Sequence, residues 1–215
     1  MNTQINLGVI VPFYNEQKFL DESVSRLLKI DIIEQIILVD DCSSDNSYSI
    51  AKNMVNNNSN ISLTQTQQNG GKGAAVQKGL ELIKTSHVIV HDADLEYFPE
   101  DIIEMFDKVT PTNNSLILGS RTLGSKERTN LYYYTYFGNK VLSLLFSILN
   151  NRKISDIASC YWLVSVKSLK EINLQEKGFA IEVEVLSKFI RSKTNIIEVP
   201  IKYMARSYEE GKKIT

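Results

Sequence analysis

The chain has 215 residues, 43% of them hydrophobic, which is enough to bury one core of α/β size, so a second independent domain is not expected. The 24 basic and 25 acidic residues nearly cancel, and this balance gives no support to a nucleic acid partner. Cys42 and Cys160 are far apart and lack metal-ligand spacing, which argues against a disulfide scaffold or a zinc site and favours a reducing cytoplasmic compartment.

Strand-like apolar runs alternate with helical patterns over the first 119 residues. The strand patterns cover 7–11, 36–39, 61–64, 88–91 and 116–118, and the helical patterns cover 19–29, 48–56, 74–84 and 101–109. This alternation predicts an α/β fold whose mostly parallel sheet carries helices on both faces. The N-terminal apolar run is short and leads directly into a charged helix, so it is predicted to be the first strand rather than a signal peptide.

The regular alternation stops after the fifth strand. A polar stretch at 120–130 precedes a tyrosine-rich apolar segment at 131–149, and a helix near 182–191 leads into a last strand, "IIEVPI". The tripeptide Gly-Asn-Lys at 138–140 lies in the middle of the apolar segment, where a spanning helix tolerates polar residues least. The segment therefore predicts an amphipathic surface helix.

The stretch "VIVHDADLEYFPEDI" places Asp92, Asp94 and Glu96 one residue apart directly behind a predicted strand. In an open α/β sheet, ligands bind at this edge. Carboxylates at alternate positions of an extended chain point the same way and repel each other unless a cation or a proton lies between them. Their oxygens suit Mg²⁺ or Mn²⁺, which bind through one or two carboxylates and substrate phosphates. The cluster predicts a metal-bridged phosphate site; the alternative is a solvated strand exit followed by helix-capping residues.

Polar groups also follow the other predicted strands. "VPFYNE" after the first strand is an ordinary strand-to-helix corner, and "LVDDCSSDNS" after the second contains Asp41, which can accept from a ribose hydroxyl or a base N–H. The Ser-Asp-Asn run at 44–46 is predicted to cap a helix. "NGGKGAA" supplies flexible backbone and the Lys72 cation before a helix, which suits a phosphate.

Together and in this order, these pieces resemble the inverting family 2 glycosyltransferases, which have a GT-A fold. The motifs are "VPFYNE", "VDDCSSDNS", "GGKGAA", "DADLEY", "GSR" and "EVPIKYMARSYEEGKKI", and they extend over nearly the whole chain. Within that family the sequence is most similar to the dolichyl-phosphate mannosyltransferase-like branch. The resemblance implies a single domain over 1–215, with a nucleotide-sugar-binding half at 1–119 and an acceptor-side half at 120–215.

The resemblance also implies an activity and a location. The expected reaction is metal-dependent transfer of a hexose from a UDP- or GDP-sugar to a polyprenyl phosphate of the dolichyl or undecaprenyl type. The enzyme is expected to be cytoplasmic and peripheral at the inner face of the membrane, in a role at the cell envelope. A homo-oligomer is left open.

The resemblance implies that the nucleotide sugar lies across residues of the first two strand exits, namely Pro12, Tyr14, Glu16 and Asp41. The base is expected near Asp41, and Lys72 is a further candidate contact of the donor. Asp92 and Asp94 form the DxD-type motif that carries the metal and the diphosphate, with Asp94 and Glu96 as the expected ligands of Mg²⁺ or Mn²⁺.

The acceptor side is expected to need fixed positive charge rather than a general base. A phosphate monoester is anionic near neutral pH, and Arg121 in "GSR" and Arg206 in "MARSYEEGK" are the candidate catalytic cations that hold it. Asp156 and Ser159 in "SDIASCYWLVS" match the branch pattern. Glu182 is favoured over the second glutamate of "GFAIEVEV", because helical spacing turns only one of them towards the site.

Two departures from the family pattern concern the turn after Asp41 and the acceptor. Cys42 stands where the family usually has glycine. The basic acceptor contacts common before the amphipathic helix are replaced by tyrosines, at Tyr132, Tyr133, Tyr134 and Tyr136. His87 and His91 are interpreted as structural imidazoles at strand ends rather than as catalytic groups.

Two other functions stay open at this point. The first is a family 2 glycosyltransferase acting on a glycan or small-molecule hydroxyl, which requires a carboxylate base such as Glu182 or Asp156. The second is a nucleotide-sugar binding module without turnover, against which the intact Asp92, Asp94 and Arg121 argue.

Overall fold

One central sheet organises the computed structural model of the chain, which describes residues 5–110, 114–129 and 133–206. The strands are β1 (Leu7–Phe13), β2 (Ile33–Asp40), β3 (Ile61–Gln65), β4 (His87–Val90), β5 (Leu116–Ser120), β6 (Arg128–Thr129), β7 (Trp162–Ser165), β8 (Ile196–Pro200) and β9 (Tyr203–Met204). Seven of them form the sheet in the order β3-β2-β1-β4-β7-β5-β8, and β6 and β9 form a separate parallel pair.

The pairing is parallel throughout the central sheet except at β7, which runs antiparallel to both of its neighbours. The predicted α/β fold with a mostly parallel sheet is thereby confirmed. β7 itself was not predicted. It is a four-residue strand with Trp162, Leu163 and Val164 fully buried, so it shows no alternation of polar and apolar residues that would mark it in the sequence.

Helices cover both faces of the sheet. They are α1 (Leu20–Leu27), α2 (Ser47–Asn57), α3 (Lys72–Leu80), α4 (Asp101–Phe106), α5 (Tyr133–Leu149), α6 (Val166–Glu171) and α7 (Ile181–Arg191). Because side chains alternate along a strand, Val9 and Val11 of β1 enter the core under α1, α2 and α4, whereas Ile10 enters the core under α3, α6 and α7. Burial on both faces explains why β1 is apolar over its whole length.

Helix α5 is the least buried of the long helices. Ser143 and Phe146 are its only buried residues, and large apolar side chains on the rest of its surface face solvent. The predicted surface helix over 131–149 is thus present in its described part, and the first two residues of that range lie outside the described chain. Among the described residues, no helix is both long enough and apolar enough to cross a membrane.

Candidate active site

A cavity of about 670 Å³ lies at the carboxyl edge of the sheet, where β1, β2 and β4 end. Its wall contains the predicted site residues Pro12, Tyr14, Glu16, Asp41, Lys72, Asp92, Asp94, Glu96, Arg121, Glu182 and Arg206. Asp156 and Ser159 do not line it and are buried behind the wall. The structure therefore brings the predicted donor-side residues together but does not place these last two in contact with a ligand in the cavity.

Asp41 organises the glycine-rich loop. Its carboxylate accepts hydrogen bonds from the backbone N–H groups of Gly70 (3.0 Å) and Gly71 (2.7 Å) and from the Thr66 hydroxyl (2.8 Å). Each carboxylate oxygen can accept more than one hydrogen bond, so these bonds leave room for a nucleoside. The contact of Asp41 with a nucleoside stays a prediction. Gly71 has a φ of +89°, a conformation that glycine adopts without strain.

The glycine-rich motif packs against a distant segment, and its contact with a donor phosphate stays a prediction. At the start of α3, the Gly73 and Ala74 N–H groups donate to the carbonyls of Gly178 (3.2 Å) and Lys177 (3.0 Å). A Cβ atom at Gly73 would lie 2.2 Å from the Glu176 carbonyl oxygen. These first amides of the helix therefore hold the 176–178 segment against α3, and glycine is needed for that close approach.

Lys72 bridges two carboxylates in the cavity wall. Its Nζ lies 2.8 Å from Asp92 and 2.6 Å from Glu182, and the Lys72 and Glu182 side chains are largely buried. Burial opposes the charge of Lys72, but the two carboxylates outweigh burial and raise its pKa well above the ordinary value. Burial raises the pKa of Glu182 despite Lys72, and within the described chain Glu182 Oε2 has no hydrogen-bond partner.

Asp94 lies in a concentration of negative charge. Burial, followed by the charges of Asp92 and Glu96, raises the pKa of Asp94 to about 7. Glu96 accepts hydrogen bonds from the Tyr203 hydroxyl (2.5 Å) and from the Arg206 N–H (2.8 Å). Its role as a metal ligand stays a prediction, and these bonds show that it also anchors β9 and the residues after it.

The residues present fit a hard divalent cation. No group of three or more His, Cys, Asp or Glu side chains in residues 5–110, 114–129 and 133–206 is placed to hold a metal ion by itself. However, Mg²⁺ and Mn²⁺ take oxygen ligands and commonly complete their shells with substrate phosphates and water. The mutual repulsion that raises the pKa of Asp94 is what a cation beside Asp92 and Asp94 would relieve.

Arg206 contacts two carboxylates that are predicted to lie near the donor. Its guanidinium lies 3.3 Å from a carboxylate oxygen of Glu16 and 3.3 Å from one of Asp94, and it stacks on the Phe19 ring at 4.9 Å. It therefore joins the first strand exit to the acidic cluster. Its predicted contact with an acceptor phosphate stays untested, and its observed partners are the carboxylates beside the expected diphosphate.

Arg121 forms a two-pronged ion pair with Asp156. Its Nε and one Nη each donate over 2.8 Å, and the Arg121 backbone N–H donates to the same carboxylate over 3.0 Å. The guanidinium lies 4.9 Å from the centre of the Tyr203 ring. Burial works against ionisation of Asp156, but Arg121 outweighs it and lowers the pKa of that carboxyl. Most of the Arg121 charge is thus matched inside the protein.

His91 is a structural residue, in line with its interpretation from sequence. It is buried, its Nδ1 lies 2.7 Å from the Tyr161 hydroxyl, and its Nε2 lies 3.1 Å from the Ser23 hydroxyl. Burial lowers the pKa of His91 to about 4, so the imidazole is neutral near neutral pH.

Several cavity residues were not predicted. Arg128, Asn139 and Tyr97 line the wall, together with Tyr136 and Tyr203. Arg128 belongs to a polar stretch without a recognisable motif, and the tyrosine-rich composition at 132–136 was the only signal for Tyr136. The folding of β6 against β9 is what brings Arg128 to the site.

Comparisons with known proteins identify the family and the fold of the chain. Residues 8–173 match the model of the glycosyl transferase family 2. A UDP-N-acetylglucosamine–dolichyl-phosphate N-acetylglucosaminyltransferase of Methanococcus voltae is 30% identical over 217 residues, covering 93% of this chain and 86% of the relative. A dolichol-phosphate mannosyltransferase of Pyrococcus furiosus is 26% identical over 212 residues, covering 97% of this chain and 59% of the relative.

Solved structures show the same fold. Glucosyl-3-phosphoglycerate synthase of Mycobacterium tuberculosis, in complex with Mn²⁺, UDP-glucose and phosphoglyceric acid, superposes with a TM-score of 0.72 at 18% identity. The superposition covers 96% of this chain and 74% of the synthase. On the strength of the family match and this shared GT-A fold, the chain belongs to glycosyltransferase family 2 and is a glycosyltransferase.

Proposed function

We propose that this glycosyltransferase moves a hexose from a UDP- or GDP-sugar to a polyprenyl phosphate at a membrane surface. The observation that carries the proposal is the continuity of one cavity with one exposed helix. The carboxylates of Asp92 and Asp94 lie in the wall of the cavity, and α5 contributes Tyr136 and Leu142 to the same wall. The acidic part of the wall therefore suits a polar donor, and the adjoining surface of α5 suits an amphiphilic acceptor.

The donor end of the cavity suits a nucleoside diphosphate. Asp41 follows β2, and Asp92 and Asp94 follow β4, the two strands that flank β1, so the three carboxylates lie at the sheet edge where open α/β sheets bind nucleotides. Mg²⁺ or Mn²⁺ bound beside Asp94 would stabilise the negative charge that develops on the leaving diphosphate. Solved relatives of the same fold contain Mn²⁺ or Mg²⁺ together with UDP.

The acceptor end favours an acceptor that is already anionic. A hydroxyl acceptor needs a carboxylate base. Of the two candidates, Asp156 lies behind the cavity wall and is paired with Arg121, and one oxygen of Glu182 is paired with Lys72. A phosphate oxygen needs no such base. Two relatives are named as transferases to dolichyl or dolichol phosphate, which supports the same acceptor class here.

The exposed face of α5 supports a location at the membrane surface. Its apolar side chains include Tyr134, 90% exposed, and Leu149, 84% exposed. Such a surface is costly in water and is buried favourably at the boundary of headgroups and acyl chains. This arrangement supports a peripheral enzyme at a membrane surface, and the inner, cytoplasmic face is part of the same proposal.

The test is a donor screen with purified protein and Mn²⁺ or Mg²⁺, read out as nucleoside diphosphate released. Three acceptors are compared: a polyprenyl phosphate, the matching polyprenol without phosphate, and phosphoglyceric acid. We expect release with one UDP- or GDP-sugar and with the polyprenyl phosphate alone. Transfer to the polyprenol or to phosphoglyceric acid, with none to the phosphate, would favour the hydroxyl-acceptor alternative and refute the proposal.

A further inference from the structure

Two cations lie against one tyrosine ring at the acceptor end of the cavity. The Arg128 guanidinium carbon is 4.5 Å from the centre of the Tyr136 ring, and Lys140 Nζ is 5.0 Å from it. Arg128 and Tyr136 line the cavity, and the exposed Lys140 lies one helical turn after Tyr136 on α5. We call these three residues the Arg128 cluster. An aromatic face attracts cations, so the ring holds both positive charges at this position.

The fold fixes the position of Arg128. Its backbone pairs with Tyr203 across the β6–β9 ladder, and its Nη1 donates to the Arg121 carbonyl over 2.9 Å. The guanidinium also lies 5.8 Å from the Tyr203 ring. A side chain held between two rings and a carbonyl loses little further freedom when it binds a ligand.

The charge around Arg128 favours an anion. Burial, followed by the positive charge of Arg121, lowers the pKa of Arg128, although a guanidinium stays protonated at any physiological pH. Arg121 itself is matched by Asp156, whereas Lys140 adds a second positive charge against the Tyr136 ring. A phosphate held by Arg128 and Lys140 would accept charge-assisted hydrogen bonds from both.

The neighbouring surface of α5 suits a hydrocarbon chain. Beyond Lys140, the side chains of Val141, Leu144, Leu145 and Ile148 are exposed. Residues three and four apart on a helix are neighbours, so these side chains form an apolar strip that begins beside the cations. A ligand with a phosphate at one end and a long apolar chain fits this sequence of surfaces.

We infer that the Arg128 cluster binds the phosphate of the lipid-linked acceptor, with the hydrocarbon chain on the exposed face of α5. The inference rests on the proposed function and names a binding site for its acceptor. It also gives the tyrosine-rich segment a role, because Tyr136 positions cations contributed by β6 and α5. The same phosphate chemistry is present in bulk anionic lipids, and the experiment has to separate the two sources.

The experiment measures transfer to a water-soluble, short-chain prenyl phosphate in the absence of vesicles, using Arg128→Gln and Lys140→Gln. Losing one charge-assisted contact should raise the KM for the prenyl phosphate by roughly tenfold or more. The KM for the nucleotide sugar and the affinity for the nucleoside diphosphate should not change. Arg128→Lys should recover part of the loss, because it keeps the charge and loses the planar fork. Arg191→Gln and Lys52→Gln, at exposed positions outside the cavity wall, are the matched controls.

The outcomes separate the inference from the proposed function. An unchanged KM for the prenyl phosphate in both variants overturns the inference while leaving transfer to a phosphate intact. The inference is also overturned if the variants lose only flotation on phosphatidylglycerol vesicles and keep their KM, because the cluster then binds bulk lipid. If the wild-type enzyme transfers sugar to no prenyl phosphate, the proposed function fails and the inference falls with it.

Discussion

The Lys72 ammonium and the Glu182 carboxylate lie 2.6 Å apart at the wall of the cavity, where α3 meets α7. The same ammonium contacts Asp92 at 2.8 Å. One cation thus bridges two carboxylates and fixes the position of Asp92. Removing a cation from such a buried group leaves uncompensated charge, which costs far more than the ion pair itself contributes.

Lys72→Met should therefore lower the free energy of unfolding by about 3–5 kcal/mol and slow sugar transfer, because Asp92 and Glu182 then repel each other in a partly buried site. Glu182→Gln keeps a hydrogen-bond acceptor for Lys72 and should cost less. Chemical denaturation of both single variants and the double variant measures the coupling. We expect the double variant to lose at least about 1 kcal/mol less than the sum of the single losses.

Lys78→Met is the matched control for Lys72→Met. Lys78 also lies on α3 and pairs with Glu81, but that ion pair is exposed to solvent. Its loss should cost less than about 1 kcal/mol. An equal cost at the two lysines would contradict the view that Lys72 is the central cation of the wall.

The sequence predicted most of the fold, and with it which residues meet at one edge of the sheet, for the same physical reason. Strands buried on both faces are apolar throughout, and polar residues that follow them necessarily collect at one edge of a parallel sheet. Asp41, Asp92 and Asp94 therefore meet in one cavity, as expected. The antiparallel β7 was not predicted, because the direction of a short buried strand depends on where the preceding chain enters the sheet.

The ion-pair partners of the charged residues could not be predicted from the sequence. The predicted contacts of Lys72 with the donor and of Arg121 with an acceptor phosphate stay predictions, and the structure adds that each cation contacts a carboxylate from a distant segment. Such pairings are set by packing and leave no local pattern. Cys42 stands where the family usually has glycine, and its φ of +60° lies in the left-handed region that favours glycine.

Arg121→Ala should destabilise the fold by about 3–5 kcal/mol, because Asp156 would be left buried without its cation. Arg121→Lys keeps the charge but cannot make both bonds, so it should restore only part of the stability. Thermal and chemical denaturation measure both effects. Nucleoside diphosphate affinity should change little in Arg121→Lys.

The same variant tests how Arg121 acts in transfer. If Arg121→Lys raises the acceptor KM as strongly as Arg128→Gln and unfolds at the wild-type denaturant concentration, then Arg121 contacts the acceptor directly. If Arg121→Lys loses stability without a change in the acceptor KM, then Arg121 has a structural role in the cavity wall. The Asp156→Asn variant should follow Arg121→Lys in stability, because it weakens the same pair.

Asp94→Asn should abolish metal-dependent transfer, reducing turnover by at least about a hundredfold, because the diphosphate loses its metal-linked contact. The free protein should be no less stable, since the substitution removes one of three neighbouring negative charges. Turnover with and without excess chelator, combined with denaturation curves, checks both statements. Asp107→Asn, at an exposed position after α4, is the control. Full activity of Asp94→Asn, or of the wild type in chelator, would contradict a role of Asp94 in binding a catalytic metal.

His91 should make the fold sensitive to acid. Its pKa is about 4 in the folded protein and about 6.5 in the unfolded chain, so only the unfolded chain binds a proton between these values. The His91 contribution is complete above pH 6.5 and is lost as the pH falls towards 4, by up to about 3 kcal/mol. Denaturation at several pH values, in wild type and His91→Gln, measures this loss.

The difference between the two proteins isolates the imidazole. His91→Gln should be less stable than the wild type at pH 7, because two buried hydrogen bonds are disturbed. That deficit should shrink as the pH falls from 6.5 to 4, since glutamine does not titrate. A constant deficit across this range would mean that His91 has no depressed pKa.

The exposed face of α5 should bind membranes through apolar contact. Leu145→Glu combined with Ile148→Glu places two charges where side chains would enter the boundary of headgroups and acyl chains, so vesicle binding should fall by at least about tenfold. Liposome flotation measures the bound fraction. Ile103→Glu, at an exposed apolar residue on α4, is the matched control and should float like the wild type.

The manner of release distinguishes surface binding from insertion. A helix lying in the interface is held by part of its surface, so alkaline carbonate should release the wild-type protein from the vesicles. Release by detergent alone would contradict surface binding, because it is the behaviour of a protein anchored across the bilayer. If the double variant still floats fully and still transfers sugar to a long-chain polyprenyl phosphate, α5 is not the membrane-binding surface. If it loses flotation but keeps transfer to a short-chain prenyl phosphate, α5 delivers the enzyme to its acceptor, and the cavity alone carries out the reaction.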